Sequence, residues 1–485
     1  MPSFHIITLG CKVNQYDSQA ISQLLQDRGL DRRDELSRPA DLVVVNTCCV
    51  TQAALAKSRQ AVRRAAARNP AARLVIVGCA ASRHQASLAR AAWQAGAAAL
   101  TLAGHDQDIV AAMEQAVETI LAGADCSSAA AGGLVAPRNE ECMKAGAPAA
   151  GPSRNIAAES ITPQPPCHVN CSQPALGPIR DFPRHQRAFL KVQDGCDAFC
   201  AYCIVPHVRK HPHWRPVEQI LAEAAALVAA GFPEIVLCGV FLGAYGQPTA
   251  VRRNWQTPPQ LPSLVERLCG VPGLRRLRLS SLDAGDVSDE LVEVAARNEN
   301  CLPHFHLPLQ SGSDRVLSRM NRQYDSADFL AAVRRLGRRL ENPAVTTDVI
   351  VGFPGEDETD FEATLEICRQ AAFSRIHIFP FSAQPGTPAW QWRREGPAGA
   401  IVRQRCRRLR ELQQELSLAY RRQFIGQVAQ VVVELPSPKT PPGIAHGLTE
   451  RYLEAEFPSA APPRSLVAVR ITGLTPTGLT GRQET

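Results

Sequence analysis

No stretch of this sequence stays apolar for the ~18 residues that a membrane-spanning helix requires, so a helical membrane anchor is not expected. The opening residues, MPSFHIITLGCKVNQYDS, lack the charged segment and apolar core of a secretory leader. A cytoplasmic location with no membrane partner follows as the expectation. An excess of one charge sign is lacking too: 53 Lys and Arg stand against 46 Asp and Glu, a net of +7. That mild basicity favours a polyanionic partner only weakly and does not separate an RNA binder from an ordinary enzyme. With 45% hydrophobic and 20% charged residues, the composition is that of a globular protein. Its length suffices for about three domains.

Cysteine, by contrast, is abundant, with 16 in the chain. The cytosol keeps thiols reduced, so clustered cysteines there point to metal or catalysis more than to disulfides. Cys238, Cys269, Cys301, Cys368 and Cys406 stand singly in apolar or helical contexts and read as small buried hydrophobes.

Short apolar runs rich in β-branched residues, at 4–9, 41–46 and 73–78, alternate with helical patterns such as 17–29 and 52–69. This alternation predicts a parallel α/β domain over 1–121, closing on an Ala-rich helix near Leu121. Residues 122–185 are rich in Ala, Gly, Pro and Ser without periodicity, and read as a flexible linker or insertion. Cys126, Cys142, Cys167 and Cys171 fall there. The last two have a metal-like spacing, but no nearby His or Cys pair completes a site.

Over 186–399 the alternation resumes, with strands expected at 188–192, 234–238, 275–281, 304–309, 345–351 and 375–379. Six β/α units make a partial barrel, whose chemistry belongs at the carboxyl ends of the strands. Residues 400–425 form a connecting Arg-rich helix whose basic face, Arg403, Arg407 and Arg410, reads as solvated. Short strands split by Gly and Pro turns over 426–485 predict a small β-barrel.

The segment DGCDAFCAYCIVP sets Cys196, Cys200 and Cys203 just after the first strand expected in the barrel, in a C-x3-C-x2-C spacing. Three thiolates on one short loop can cap three irons of a cubane and leave the fourth open to a chelating substrate. Four cysteines would close that site and make an electron carrier. Zinc fits less well, because closed zinc sites want a fourth Cys or His and paired C-x2-C halves, although His207 and His211 lie nearby. The motif resembles that of the radical S-adenosylmethionine superfamily. That resemblance implies that the open iron binds the amino and carboxylate groups of S-adenosylmethionine, which is cleaved to a deoxyadenosyl radical. It also implies that Tyr202 packs on the adenine, where otherwise it would be a plain core aromatic.

Three further cysteines each follow an expected strand: Cys11 in TLGCKVNQYDS, Cys48 in VVNTCCVT and Cys79 in VIVGCAAS. Strand ends of a parallel sheet converge on one edge, so these three can meet and hold a second cluster. At this point the chain resembles the methylthiotransferases, two-cluster radical enzymes, over nearly everything except 122–185. Further matching segments are EIVLCGVFLGAYG, RLSSLD, LPLQSGSDRVLSRMNRQY, TTDVIVGFPGEDETDF and FPFSAQPGTPA, and GLTERYLEAEF looks like the family's RNA-binding TRAM barrel.

The resemblance implies two [4Fe-4S] clusters, on Cys11, Cys48 and Cys79 and on Cys196, Cys200 and Cys203, with S-adenosylmethionine as cosubstrate and an electron donor that the motifs leave unspecified. Cys49 is an extra thiol beside Cys48; the NTC-x-VT alignment favours Cys48 as the ligand. Lys210, Phe241 and Asp283 depart from the family's common residues. Gly352 and Glu356 of VIVGFPGE, Ser281 of SSLD and Gln310 of QSGSD are expected near the adenosyl group, with glycines allowing close backbone approach.

TLGCKVNQYDS looks like the branch that acts on threonylcarbamoyladenosine at position 37 of tRNA, beside the anticodon. The isopentenyladenosine branch usually reads GCQMN, and the ribosomal-protein aspartate branch GCPKN. An adenine C2–H bond is neither weak nor acidic, so the implied chemistry is radical, with methylthio delivered to C2. The anticodon stem-loop is the implied partner, presenting a splayed base from a single-stranded loop.

Overall fold

The computed structural model describes residues 1–33, 39–122, 178–183, 185–436 and 440–484. Cys126, Cys142, Cys167 and Cys171, and most of the linker expected at 122–185, lie outside the described residues. The chain divides into two compact units. One takes Met1–Asn14 and Ala20–Gly177, the other Gln15–Gln19 and Pro178–Thr485.

The first unit is built on five parallel strands: β1 (Ser3–Thr8), β2 (Asp31–Arg32), β3 (Leu42–Thr47), β4 (Arg73–Gly78) and β5 (Ala99–Ala103), in the order β2-β1-β3-β4-β5. The LVVVNT run of β3 is buried along its whole length, as a central strand covered on both faces must be. Phe4, Ile21, Leu25, Val44 and Val75 form the core beside it. Thr51 starts the helix Gln52–Arg68 by accepting the Ala54 N–H at 3.0 Å. The helix expected at 17–29 starts earlier, as Lys12–Asp27 with Cys11 at its N-cap. Cys11 supplies no side-chain cap to mark the start, although Val13 and Tyr16 are buried on the helix.

In the second unit, β6 (Ala188–Asp194), β7 (His213–Trp214), β8 (Glu234–Gly239) and β9 (Arg276–Leu279) form one sheet in the order β7-β6-β8-β9. A second sheet comprises β10 (His304–His306), β11 (Ala344–Val351) and β12 (Arg375–Pro380). Parallel bridges Leu277–Cys301 and Ser281–His306 join the two. Six parallel strands thus run round as an open barrel, with β7 antiparallel beside β6. β10 stops three residues short of its expected end because the Thr347 side chain takes over the ladder. Its hydroxyl accepts the Leu309 N–H at 2.9 Å and donates to the Leu307 carbonyl at 2.6 Å.

The helix Gly399–Arg422 leads to β13 (Val428–Val433), β14 (Ile444–Thr449), β15 (Glu454–Pro458), β16 (Leu466–Leu474) and β17 (Leu479–Gln483). These close into a barrel in the order β13-β14-β15-β17-β16. Val431, Phe457, Val469 and Ile471 fill it, with Tyr420 and Phe424 packed against them. A buried charge cluster ties it to the open barrel. Glu234 pairs with Arg278 at 2.6 Å and Arg276 at 2.9 Å, while Arg278 donates to the carbonyls of Glu450 and Thr449.

Candidate metal centres

The loop carrying Cys196, Cys200 and Cys203 leaves the carboxyl end of β6 tied down by side chains of its neighbours. Asp194 accepts the Gly195 N–H at 2.8 Å and pairs with buried Arg209. The Gln193 side chain donates to the Gly195 carbonyl at 2.7 Å. Asp197 accepts from Thr249 Oγ1 and the Ala250 N–H, and Asn321 Nδ2 donates to the carbonyls of Ala198 and Phe199 at 3.1 Å. Cys196 is buried, while Cys200 and Cys203 are half-buried. Burial pushes the Cys196 thiol up. The Ala198 N–H opposes this, and the nearby Cys203 and Cys200 add to it. Such a thiol ionises readily only when a metal cation replaces its proton.

Arg322, within the motif LPLQSGSDRVLSRMNRQY and without an expected role, faces this loop. Its guanidinium donates to Cys200 Sγ at 3.3 Å and to the Tyr202 hydroxyl at 3.4 Å, and pairs with Asp283. Burial raises the Tyr202 phenol, so it stays neutral. The ring packs beside Ala201, Met320 and Phe353. Asp283, one of the departures from the family pattern, also pairs with Arg252 at 2.9 Å. Arg252 in turn lies 5.3 Å over the ring of Phe241, another departure. Lys210, the third, is exposed. A cavity of about 440 Å³ opens beside Cys200, lined by Phe199, His207, Thr387, Pro388 and Trp390. It is of a size to take a small-molecule substrate.

The expected adenosyl-side residues are placed as follows. Ser281 is exposed and bridges to His306 through its backbone. Gln310 holds φ at 63°, rare for a residue with a side chain, while its N–H and carbonyl bond to Asp348 and Ile350 of β11. Gly352 turns at φ 84° just past β11. Glu356 does not offer a free carboxylate. Its Oε2 accepts the N–H groups of Gly352 at 3.1 Å and Phe353 at 3.4 Å, and its Oε1 pairs with buried Arg405 at 2.7 Å. It fixes the turn. Arg405 was missed because its helix reads as a solvated basic face. Arg403, Arg407 and Arg410 are indeed exposed, but Arg405 lies on the buried side.

In the first unit, Cys11, Cys48 and Cys79 follow β1, β3 and β4, neighbours in the sheet. Thr8 pairs with Asn46 and Thr47 with Gly78 at their carboxyl ends. Cys11 is exposed, and Cys48 and Cys79 are buried. Gly10 approaches Cys48 so closely, at φ 107°, that an added Cβ would stand 3.0 Å from Cys48 Cβ and 3.3 Å from its sulfur. Asn14 stitches the edge together, donating to the carbonyls of Leu9 at 2.8 Å and Thr47 at 3.1 Å and accepting from Asn46. Cys49 is fully buried, its sulfur 3.3 Å from the Cys79 carbonyl.

Among the described residues, the group of three whose ligand atoms all lie within 4.8 Å of one another is His306, Asp348 and His377, on β10, β11 and β12. Neither cysteine triplet is set so close. Thiolates round one zinc stand roughly 3.8 Å apart at a Zn–S distance of ~2.3 Å, so neither triplet is set for a single zinc ion. His207 packs edge-on against Phe199, and His211 is exposed.

The radical SAM superfamily pattern matches residues 190–368, which span the Cys196 loop and most of the open barrel. The pattern described as "Uncharacterized protein family UPF0004" matches residues 3–97, which carry the other triplet. In fold, the chain is similar to the radical S-adenosylmethionine methyltransferase TsrM from Kitasatospora setae, with a TM-score of 0.51, 14% identity, and coverage of 92% of this chain and 81% of that one. These matches place the barrel in the radical SAM class.

Over 481 residues the chain is 31% identical to a threonylcarbamoyladenosine tRNA methylthiotransferase, MtaB, of Chlamydia pneumoniae, covering 99% of this chain and 97% of that relative. It is also 31% identical, over 94% of its length and 92% of the relative's, to a tRNA-2-methylthio-N(6)-dimethylallyladenosine synthase of Desulfitobacterium hafniense. The chain belongs to the radical SAM methylthiotransferase family. Membership implies a [4Fe-4S] cluster and S-adenosylmethionine. No described helix is long and apolar enough to cross a membrane.

Proposed function

We propose that this enzyme inserts a methylthio group at C2 of N6-threonylcarbamoyladenosine 37 in the anticodon stem-loop of cytoplasmic tRNA. Cys196, Cys200 and Cys203 hold the cluster that meets S-adenosylmethionine, and Cys11, Cys48 and Cys79 hold a second. The observation that carries this reading is the delivery of three cysteines by three adjacent parallel strands to one sheet edge. That is a second polythiolate site on a chain that already has a radical-generating one. For the branch, support comes from Lys12-Val13-Asn14 and from the threonylcarbamoyladenosine-specific name of the Chlamydia pneumoniae relative. The dimethylallyladenosine reading has an equally similar relative in its favour and the KVN motif against it.

When bound, the clusters and S-adenosylmethionine supply the radical chemistry, the methyl group and the sulfur transfer. The chain's residues hold and shape that site. Arg322 places a cation against Cys200. Tyr202 offers an apolar face for adenine. Glu356, clamped by Arg405, aims the turn at Gly352. Asn14 fixes the backbone that presents Cys11.

The test is anaerobic cleavage of S-adenosylmethionine by the reduced, reconstituted full chain. Deoxyadenosine is the expected product. Cys200→Ala abolishes it, while Cys79→Ala retains cleavage and loses methylthio transfer. Methylthio product from either variant contradicts the role given to that cysteine.

A further inference from the structure

His105 stands at the same sheet edge as Cys11, Cys48 and Cys79, and neither the motifs nor the proposed chemistry calls on it. β5 ends at Ala103, and the next residue, Gly104, passes so close to the short helix Cys79–Arg83 that an added Cβ would lie 2.7 Å from Ser82 Cα. Gln107 Oε1 accepts the Gly104 N–H at 2.8 Å, and Ser82 Oγ accepts the His105 N–H at 2.9 Å. The turn after β5 is therefore tied to the helix that Cys79 begins. The half-buried imidazole is aimed by that tie, with Nε2 3.6 Å from Cys79 Sγ.

That separation is a nitrogen–sulfur hydrogen bond. An iron-bound thiolate has only lone pairs to offer, so the ring nitrogen facing it must carry the proton. A lone pair there would repel the sulfur.

We infer that His105 is a positioning residue for the second cluster, donating its Nε2–H to the Cys79 thiolate and raising the cluster's reduction potential. The inference rests on the reading of Cys79 as a ligand. A donor to a ligand sulfur stabilises the reduced state, which carries more negative charge, and such bonds are among the levers that set iron–sulfur potentials. The neutral tautomer suffices, so the effect needs no protonation change.

The experiment uses the full chain with Cys196, Cys200 and Cys203 all replaced by Ala, reconstituted anaerobically, so that only the second cluster reports. Iron and sulfide are counted, and the midpoint is followed by EPR during a redox titration. His105→Leu removes the donor; His105→Gln keeps an N–H. His105→Leu is expected to bind iron as the parent does but to be about tenfold harder to reduce, a fall of about 59 mV for a one-electron couple. His105→Gln recovers most of that. Iron lost from His105→Leu and kept by His105→Gln also supports the donor role. An unchanged midpoint with intact iron in His105→Leu overturns the role and leaves the cluster reading standing. Iron lost from both His105 variants overturns it in favour of plain packing. No iron on the parent overturns the cluster reading and the inference with it.

Discussion

Arg322 reaches Cys200, Tyr202 and Asp283 with one guanidinium. Its planar fork can serve three groups, where a lysine ammonium would reach one or two. Hydrogen bonds to charged groups contribute about 1.5–3 kcal/mol each, and about 1.4 kcal/mol is tenfold in an equilibrium. Arg322→Met is therefore expected to slow S-adenosylmethionine cleavage by about ten- to a hundredfold, with Arg322→Lys between it and the parent. Cleavage at the parental rate in Arg322→Met would remove the residue from the site.

The Glu356–Arg405 pair is open to a stability measurement. Its burial pushes the carboxyl up while Arg405 opposes the shift. Glu356→Ala strands a buried guanidinium with only the exposed Glu358 as counter-charge. Breaking a buried pair from one side costs about 3–5 kcal/mol, so the denaturant midpoint should fall clearly. A midpoint unchanged from the parent would contradict the clamp.

The strand ends at the edge of the first unit bear on which cysteine would ligate the proposed second cluster. Gly10 brings the Cys11 turn onto Cys48, whereas the Cys49 sulfur lies against the Cys79 carbonyl and is fully buried. Cys48→Ala is expected to lose one cluster's worth of iron, counted per chain, and Cys49→Ala to keep it. The reverse result would exchange the two assignments. Elements of this kind were largely legible in the sequence. β-branched runs mark β1, β3, β4 and the barrel strands, and cysteines placed just after strands need no partner to be noticed.

Features that depend on a distant partner were not legible. Arg405 looks like its exposed neighbours until Glu356, far off in sequence, is found beneath it. The helix Lys12–Asp27 starts at Cys11 with no side-chain cap to mark it, and Gln310 gives no sign of its left-handed backbone. His105 carries no motif at all; only the fold shows that it meets Cys79.

Across the second unit, the C-terminal barrel is tied to the open barrel by charge as well as by packing. Burial pushes the Glu234 carboxyl up, but Arg278 and Arg276 pull it down further, to about 2. With a folded value below the unfolded one, the pair's stability is present above about pH 4.5 and is lost as pH falls toward 2. The shift corresponds to about 3 kcal/mol. Glu234→Gln should be less stable at neutral pH, because two buried arginines lose their counter-charge. It should also lose less stability than the parent on acidification through that window. Parallel stability–pH curves for parent and variant would contradict the assignment.

Nucleoside mass spectrometry on tRNA decides whether this chain acts on threonylcarbamoyladenosine. The host should lack its own methylthiotransferases, make both precursor nucleosides and express this chain. Methylthio-threonylcarbamoyladenosine is expected, lost in Cys79→Ala and in Cys200→Ala. Methylthio-isopentenyladenosine in its place, or neither product from a protein carrying both clusters, would refute the proposed activity.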